Sequence, residues 1–213
     1  MANTQSQIPE VVIFRLPLYL YMLTLLHSEN VEVVSSKELG ARLQMTPAQI
    51  RKDLSYFGKF GKQGRGYHVA TLLEELRKIM GLDREWNMAL IGAGRLGKAL
   101  LDYGKLTLQG FKIVAAFDID PQQIGRKVGG IIIQDVSELA ATVKKKDIKI
   151  GVLAVPPDQV QKAVDSLVKC GIKAILSYYP VATKTPPDVR VRKVDPMFAL
   201  QTMTYYLRGL GSS

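Results

Sequence analysis

The chain has 213 residues, of which 47% are hydrophobic and 23% charged, a composition that excludes intrinsic disorder and indicates a folded globular protein. Its 29 Lys and Arg against 19 Asp and Glu leave a net charge of +10, which favours a polyanionic partner without identifying one. A single cysteine, Cys170, and two widely separated histidines exclude a disulfide framework and a cysteine-based zinc site, and we expect no metal.

The compartment and the domain organisation follow from simple patterns. A lone thiol and an N-terminus without a secretion signal predict a cytoplasmic protein. The apolar run 16–26 is too short to span a membrane, so we expect a buried helix there. Helical periodicity gives way near residue 85 to alternating β-rich and helical runs. We therefore predict a domain over 1–85, a second over 86–195 and a C-terminal helix within 196–213.

Three helices are expected in the first domain. The first runs from Glu10 to Leu26, with Pro17 as a kink or late start. The second starts at Ser35, which forms a capping box with Glu38, and continues to residue 43. The third begins at Thr46-Pro47, a cap followed by proline at the first helical position. Only two residues separate the second and third helices, which predicts a helix-turn-helix.

The third helix carries the residue types that read DNA. Ile50 and Leu54 are expected to face the core, which leaves basic and polar side chains on the outside. The glycine-rich segment 58–69 is expected to form a tight basic β-ribbon, the wing of a winged helix. Residues 42–66 hold six Lys or Arg against one Asp, a net charge of +5. The alternative is a solvated helix followed by a mobile loop. The predicted DNA-contacting residues are Pro47, Gln49, Arg51, Lys52, Ser55, Tyr56, Lys59, Lys62 and Arg65.

The second domain opens with a dinucleotide-binding fingerprint. A short strand, 87–91, runs into the sequence GAGRLG and then into a helix, so G-x-G-x-x-G stands in the context that the fingerprint requires. Gly92 permits the tight turn, Gly94 lets the backbone approach a pyrophosphate, and Gly97 lets helix and strand pack closely. The N-terminus of the helix supplies N–H donors to the phosphates.

An acidic residue favours NAD(H) over NADP(H). Asp118 ends the next strand, 112–117, where a carboxylate accepts hydrogen bonds from ribose hydroxyls and repels a 2′-phosphate. Val155-Pro156 ends a later strand at the same edge of the sheet. The predicted NADH/NAD+ contacts are Gly92, Ala93, Gly94, Arg95, Leu96, Gly97, Asp118, Val155, Pro156 and Tyr178.

The remaining strands are expected at 130–133, 148–155, 174–176 and 189–191, and the helices at 137–145 and 159–169. This alternation predicts a Rossmann fold, a doubly wound parallel sheet with helices on both faces. Both histidines lie outside this half, and no substrate-binding domain remains, so we expect a ligand sensor rather than an enzyme. The alternatives are an NAD-dependent enzyme with a basic partner-binding domain, or a regulator of another ligand with a vestigial dinucleotide fold.

The sequence resembles the Rex family of redox-sensing transcriptional repressors over nearly its whole length. The segments that carry the resemblance are RLPLYLYML, TPAQIRKDLSYFGKFGKQGRGYHV, GAGRLGKAL, AFDIDPQQIG and VDPMFALQTMTYYL. The resemblance implies a homodimer with a winged helix, a Rossmann domain and a C-terminal helix swapped into the partner. It also implies binding to an inverted-repeat operator in double-stranded DNA when NADH is low, and release when NADH is high.

The resemblance further implies a switch. Arg15, Tyr103 and Asp195 match the polar residues that couple the nicotinamide to the DNA-binding domain in the family. Asp195 would pair with Arg15 or with the Tyr103 hydroxyl, which gives a bistable element. The chain departs from the family at residues 177–180, where Ser-Tyr-Tyr-Pro replaces Asn-Phe-Ala-Pro, and around Asp195, where Lys193 and Pro196 stand in place of Asn and an apolar residue.

Overall fold

The computed structural model describes residues 8–61, 65–103, 106 and 109–208. The chain divides into two compact units, Met1–Arg84 and Glu85–Ser213, called the N-terminal and C-terminal units below. The predicted DNA contact Lys62 lies outside the described residues.

Four helices and a two-stranded antiparallel sheet form the described part of the N-terminal unit. The helices share one core, in which Tyr19, Leu23, Ile50 and Leu76 are fully or almost fully buried. The elements are α1 (Glu10–Ser28), β1 (Val33–Val34), α2 (Ser36–Leu43), α3 (Pro47–Ser55), β2 (Tyr67–His68) and α4 (Val69–Ile79).

Helix α1 packs against α2 and α4. It continues through Pro17, and no break or late start occurs there. It has the length and apolar composition of a membrane-spanning helix. Seven of its residues, however, are buried in the core of the unit, and Arg15 pairs with an acidic residue of another helix. The expected buried core helix is therefore confirmed.

The helix-turn-helix is built as the capping residues predict. The Glu38 backbone N–H donates to Ser35 Oγ (3.0 Å), and the Gln49 N–H donates to Thr46 Oγ1 (3.2 Å). The turn between α2 and α3 uses Gln44 in the left-handed conformation, with φ of 55°. Gly40 makes this turn possible because a Cβ at its position would overlap the Met45 carbonyl.

The wing differs from the prediction. The segment 58–69 was expected to pair with itself, but its described part contains a single strand, β2, which pairs with β1 upstream of α2. Gly66, with φ of 76°, packs closely against the Val34 carbonyl at this pairing. A two-residue strand is too short to give a periodic pattern, which is why β1 was missed. Helix α4 was also missed, because it lacks a side-chain N-cap and follows the wing directly.

A seven-stranded sheet organises the C-terminal unit. Its order is β5-β6-β4-β3-β7-β8-β9, and all neighbouring strands are parallel except for the β5–β6 pair. Without β5, this is the 3-2-1-4-5-6 order of dinucleotide-binding folds. The strands are β3 (Trp86–Ile91), β4 (Phe111–Asp118), β5 (Lys127–Val128), β6 (Ile131–Asp135), β7 (Ile150–Leu153), β8 (Ala174–Ser177) and β9 (Arg190–Lys193).

Helices cover both faces of this sheet, as predicted for a doubly wound fold. Helix α5 (Arg95–Leu101) contributes Leu100 and Leu101 to the core of one face. Helices α6 (Leu139–Lys145) and α7 (Val160–Lys169) pack on the other face, each preceded by one turn of 3₁₀ helix. The last helix, α8 (Pro196–Leu207), is exposed along its whole length.

Candidate dinucleotide site and candidate DNA interface

A cavity of about 540 Å³ opens at the carboxyl ends of β3, β4 and β7. Strand order reverses between β3 and β7, and ligands of open α/β sheets bind at such a reversal point. Seven of the ten predicted cofactor contacts line the cavity: Gly92, Gly94, Arg95, Leu96, Asp118, Val155 and Pro156.

The three glycines of the fingerprint have three different environments. Gly92 has a φ of 94°, and a Cβ there would approach the Ala154 carbonyl to 2.6 Å. A Cβ at Gly97 would overlap the Gly92 carbonyl, so this glycine lets α5 pack against the end of β3. Gly94, by contrast, has no atom within 4 Å of its would-be Cβ. Packing among the described residues does not explain Gly94, and the open space in front of it fits a pyrophosphate approaching the backbone.

Asp118 reaches the glycine-rich loop from the neighbouring strand. Its Oδ2 accepts a hydrogen bond from the Ala93 N–H (2.6 Å), and its Oδ1 accepts from the N–H groups of Ile119 (2.8 Å) and Asp120 (3.0 Å). These contacts hold a half-buried carboxylate at the wall of the cavity, where ribose hydroxyls would lie. Ala93 itself is buried and acts through its backbone N–H.

Sequence reasoning missed Gln123, which also lines the cavity. Its Oε1 is buried and has no hydrogen-bond partner in the described part of the chain. An unpaired buried acceptor is unfavourable, so a ligand that brings a donor here fits the site. The only available signal was the position of Gln123 a few residues beyond the acidic end of β4.

Tyr178, a predicted cofactor contact, does not line this cavity. Ser177 Oγ donates to the Tyr179 carbonyl (3.0 Å), and the local turn directs Tyr179 into the cavity lining. Tyr178 instead packs with the core on the opposite face of the sheet. Burial raises the pKa of the Tyr178 hydroxyl, and the neighbouring Tyr103 raises it further. Tyr103 is one of the three predicted switch residues, and its side chain is exposed.

The other two proposed switch residues have partners within their own units. Arg15 donates to both carboxylate oxygens of Asp53, from Nε (2.6 Å) and Nη2 (2.7 Å). Asp195 caps α8, accepting from the Met197 N–H (2.9 Å).

On the described part of the predicted DNA surface, the buried and exposed residues alternate as the helical spacing predicts. Ile50 and Leu54 are buried. The exposed predicted contacts are Arg51, Lys52, Ser55, Tyr56, Lys59 and Arg65, with Pro47 and Gln49 half-buried.

A second cavity, of about 740 Å³, lies between α3, the start of α2 and the described wing residues. Arg51 lines it and donates from Nη1 to Ser36 Oγ (3.0 Å). Lys59 and Ser55 line it as well, so this concave surface holds cationic and hydroxyl groups of the kinds that bind phosphates and base edges.

Comparison with known proteins agrees with both halves of this arrangement. A family model described as a putative DNA-binding protein N-terminus matches residues 7–55, and one described as a CoA binding domain matches residues 83–181. The redox-sensing transcriptional repressor Rex of Chloroflexus aurantiacus is 51% identical over 199 residues, which cover 93% of this chain and 94% of that protein. The chain belongs to the Rex family.

Further relatives extend the match. Rex 1 of Thermotoga maritima, also named a redox-sensing transcriptional repressor, is 42% identical over 94% of this chain and 96% of its own length. The crystal structure of RSP with β-NAD+ and operator DNA superposes with a TM-score of 0.89 at 39% identity, covering 95% of this chain and 93% of that one. RSP with β-NADH gives a TM-score of 0.86 at 36% identity, covering 95% of each chain.

Proposed function

We propose that this Rex-family protein is a cytoplasmic transcriptional repressor that binds an inverted-repeat operator in double-stranded DNA and leaves it when it binds NADH. It is a regulator and not an enzyme. The observation that carries the proposal is the dinucleotide cavity, with its open approach at Gly94, in a chain that also presents an exposed basic recognition helix. Relatives of similar fold have been solved with NAD+ and operator DNA and with NADH.

At the DNA end, α3 enters the major groove and the wing contacts the backbone or minor groove. Arg51 and Gln49 read base edges, because guanidinium and amide groups form bidentate pairs with purines. The remaining contacts hold phosphates and set the position of the helix. These are Pro47, Lys52, Ser55, Tyr56, Lys59, Lys62 and Arg65.

At the cofactor end, the residues that would hold the dinucleotide are those of the cavity. Gly94 and the first turn of α5 would hold the pyrophosphate, and Asp118 would accept hydrogen bonds from the adenosine ribose. Gln123 would accept a hydrogen bond from a donor of the nucleotide. NAD is here a ligand whose oxidised ring carries a positive charge that the reduced ring lacks, and this charge difference is the signal that the protein reads.

The protein acts as a homodimer. All twelve residues of α8 are exposed, including Phe198, Leu200 and Met203, so this apolar helix needs a cover that the described part of its own chain does not supply. A second copy of the chain, exchanging α8, provides that cover. Two recognition helices related by a twofold axis then match an inverted repeat with half-sites one helical turn, or a multiple, apart.

The response to NADH is a shift between two populations. NADH must bind the DNA-incompetent state more tightly than the DNA-competent one, because a ligand with equal affinity for both shifts nothing. Arg15, Tyr103 and Asp195 form the switch, in which the Asp195 carboxylate exchanges between Arg15 and the Tyr103 hydroxyl.

Fluorescence anisotropy tests this function. A labelled inverted-repeat duplex, selected in vitro for high affinity, is bound by the protein and then titrated with NADH and with NAD+. We expect release by NADH at concentrations at which NAD+ releases little DNA. Equal release by both forms, or by neither, would contradict redox sensing.

Two further ligands serve as controls in the same titration. NADPH should act more weakly than NADH, because Asp118 repels its 2′-phosphate. Coenzyme A should not release the duplex. Release by coenzyme A with no effect of NADH would assign the cavity to a different nucleotide.

A further inference from the structure

The recognition helix contains one acidic residue, Asp53, and it is buried. Its exposed fraction is 2%, although its neighbours Lys52 and Ser55 face solvent. A buried carboxylate on a DNA-reading helix is unexpected. Removal of its charge from water is unfavourable, and a buried side chain gains no contact with DNA in return.

Three hydrogen bonds hold this carboxylate against α1. Arg15 approaches both oxygens side by side, at 2.6 and 2.7 Å, and the Tyr19 hydroxyl donates to Oδ2 at 2.6 Å. Arg15 and Tyr19 are four residues apart on α1, so they lie on the same face of the helix and reach one acceptor together. Burial opposes ionisation of Asp53, but the bonds from Arg15 and Tyr19 keep the pKa of its carboxyl below the ordinary value.

Stability alone does not require this arrangement. Buried ion pairs can often be replaced by well-packed apolar side chains without loss of stability. The core around α1 and α3 is otherwise apolar, with Leu16, Ile50 and Leu54 buried in it. An apolar trio at positions 15, 19 and 53 would therefore serve the core equally well.

The ion pair fixes the rotation of α3 about its axis, which apolar packing does not. Ile50 and Leu54 attach α3 through contacts that tolerate small rotations of the helix, since the hydrophobic effect is not directional. A two-pronged Arg–carboxylate pair has a fixed geometry. Because successive side chains on a helix are about 100° apart, fixing the rotation at Asp53 also fixes where Arg51, Lys52 and Ser55 point.

We propose that Asp53 is a positioning residue for DNA recognition, which sets the orientation of α3 on α1 through Arg15 and Tyr19 and thereby sets how well the protein distinguishes its operator from other DNA. This inference rests on the proposed function. Asp53 itself does not contact DNA.

The test measures a specificity ratio, the Kd for a scrambled duplex divided by the Kd for the selected inverted repeat, at one salt concentration. The main variant replaces the whole trio by apolar residues of similar size, Arg15→Met with Tyr19→Phe and Asp53→Leu. Thermal unfolding shows whether it folds. We expect unfolding close to that of the wild type and a specificity ratio lower by about tenfold, comparable with the loss of one base contact. Both duplexes are titrated without NADH, and any effect on the switch proposed for Arg15 would change the two Kd values together and leave their ratio unchanged.

A milder pair of variants keeps the test decisive if the triple variant does not fold. Tyr19→Phe removes one hydrogen bond from Asp53, whereas Tyr21→Phe removes a hydroxyl from a side chain of the same helix that is 69% exposed. We expect the specificity ratio to fall in Tyr19→Phe and to stay at the wild-type value in Tyr21→Phe.

The outcomes separate the two claims. If the wild type does not distinguish the inverted repeat from scrambled DNA, the proposed function fails, and the role of Asp53 fails with it. If the wild type discriminates and a folded triple variant, or Tyr19→Phe, keeps the same ratio, only the role of Asp53 is refuted.

Discussion

The two units hold their functional groups in different ways. In the C-terminal unit the glycine-rich loop lies within six consecutive residues, and its key partner Asp118 ends the adjacent strand. In the N-terminal unit the polar contact that anchors the recognition helix joins Arg15 to Asp53, which are 38 residues apart. The first arrangement is encoded by a short sequence motif, whereas the second forms only when two helices pack together. We therefore expect the two units to respond differently to mutation.

The largest effect is expected where a buried charge loses its partner. Arg15→Ala leaves Asp53 buried with Tyr19 as its remaining side-chain donor, and we expect the N-terminal unit to lose about 3 kcal/mol of unfolding free energy. Arg42→Ala breaks the exposed pair with Glu29 and should cost less than about 1 kcal/mol. Urea unfolding of the full chain measures both. Similar losses in the two variants would mean that burial does not distinguish the pairs.

Two alanine substitutions separate packing from ligand binding in the glycine-rich loop. Gly97→Ala places a Cβ against the Gly92 carbonyl, and we expect the C-terminal unit to lose about 2 kcal/mol of stability and to bind NADH poorly. Gly94→Ala enters open space, so stability should change by less than about 0.5 kcal/mol. NADH affinity should still fall, by roughly tenfold or about 1.4 kcal/mol. Thermal unfolding measures the change in stability, and fluorescence titration with NADH measures the change in affinity. A destabilised Gly94→Ala, or one with full NADH affinity, would contradict this division.

The basic residues of the DNA surface should divide into two classes. Arg51→Ala removes a base-reading group and should cost about 1–3 kcal/mol of discrimination at particular base pairs. Lys62→Ala should weaken binding to all sequences alike and lower the slope of log affinity against log salt by about one. Anisotropy titrations over a series of salt concentrations distinguish them. A change of base preference in Lys62→Ala would show that the wing assignment is wrong.

A smaller effect on the stability of the N-terminal unit is expected when the pH is lowered. The pKa of Asp53 is lower in the folded protein than its unfolded value of about 3.9, so its contribution to stability is fully present above that value and is lost as pH falls through the folded pKa. Arg15 and Tyr19 remain protonated throughout this range, because the contact with Asp53 raises the pKa of both. We expect N-terminal unfolding free energy to fall more steeply below about pH 4 in the wild type than in Asp53→Asn. Parallel pH profiles would argue against the ion pair.

Much of this molecule could be predicted from local signals. Ser35 and Thr46 mark helix starts because their side chains accept from backbone N–H groups three residues ahead, and both bonds form. Residues of the fingerprint and Asp118 line one cavity, because the glycine pattern and the acidic strand end belong to a single β-α-β unit.

Other features were not readable in this way. One is the turn stabilised by Ser177, which places Tyr178 with the core of one face of the sheet and Tyr179 in the cavity lining on the other. The β1–β2 pairing was missed because each strand has two residues and the partners lie on either side of the helix-turn-helix.

The sequence by itself determined the helix-turn-helix and the dinucleotide loop, because caps, periodicity and glycine spacing act between residues close in the chain. Only the tertiary structure decided which polar groups meet. The contact of Arg15 and Tyr19 with Asp53 depends on how two helices pack. The burial of Gln123 Oε1 without a hydrogen-bond partner among the described residues depends likewise on packing, and neither can be inferred from the charge of the chain. The net charge of +10 favoured a polyanionic partner, yet the residue that we propose orients the recognition helix is the one acid within it.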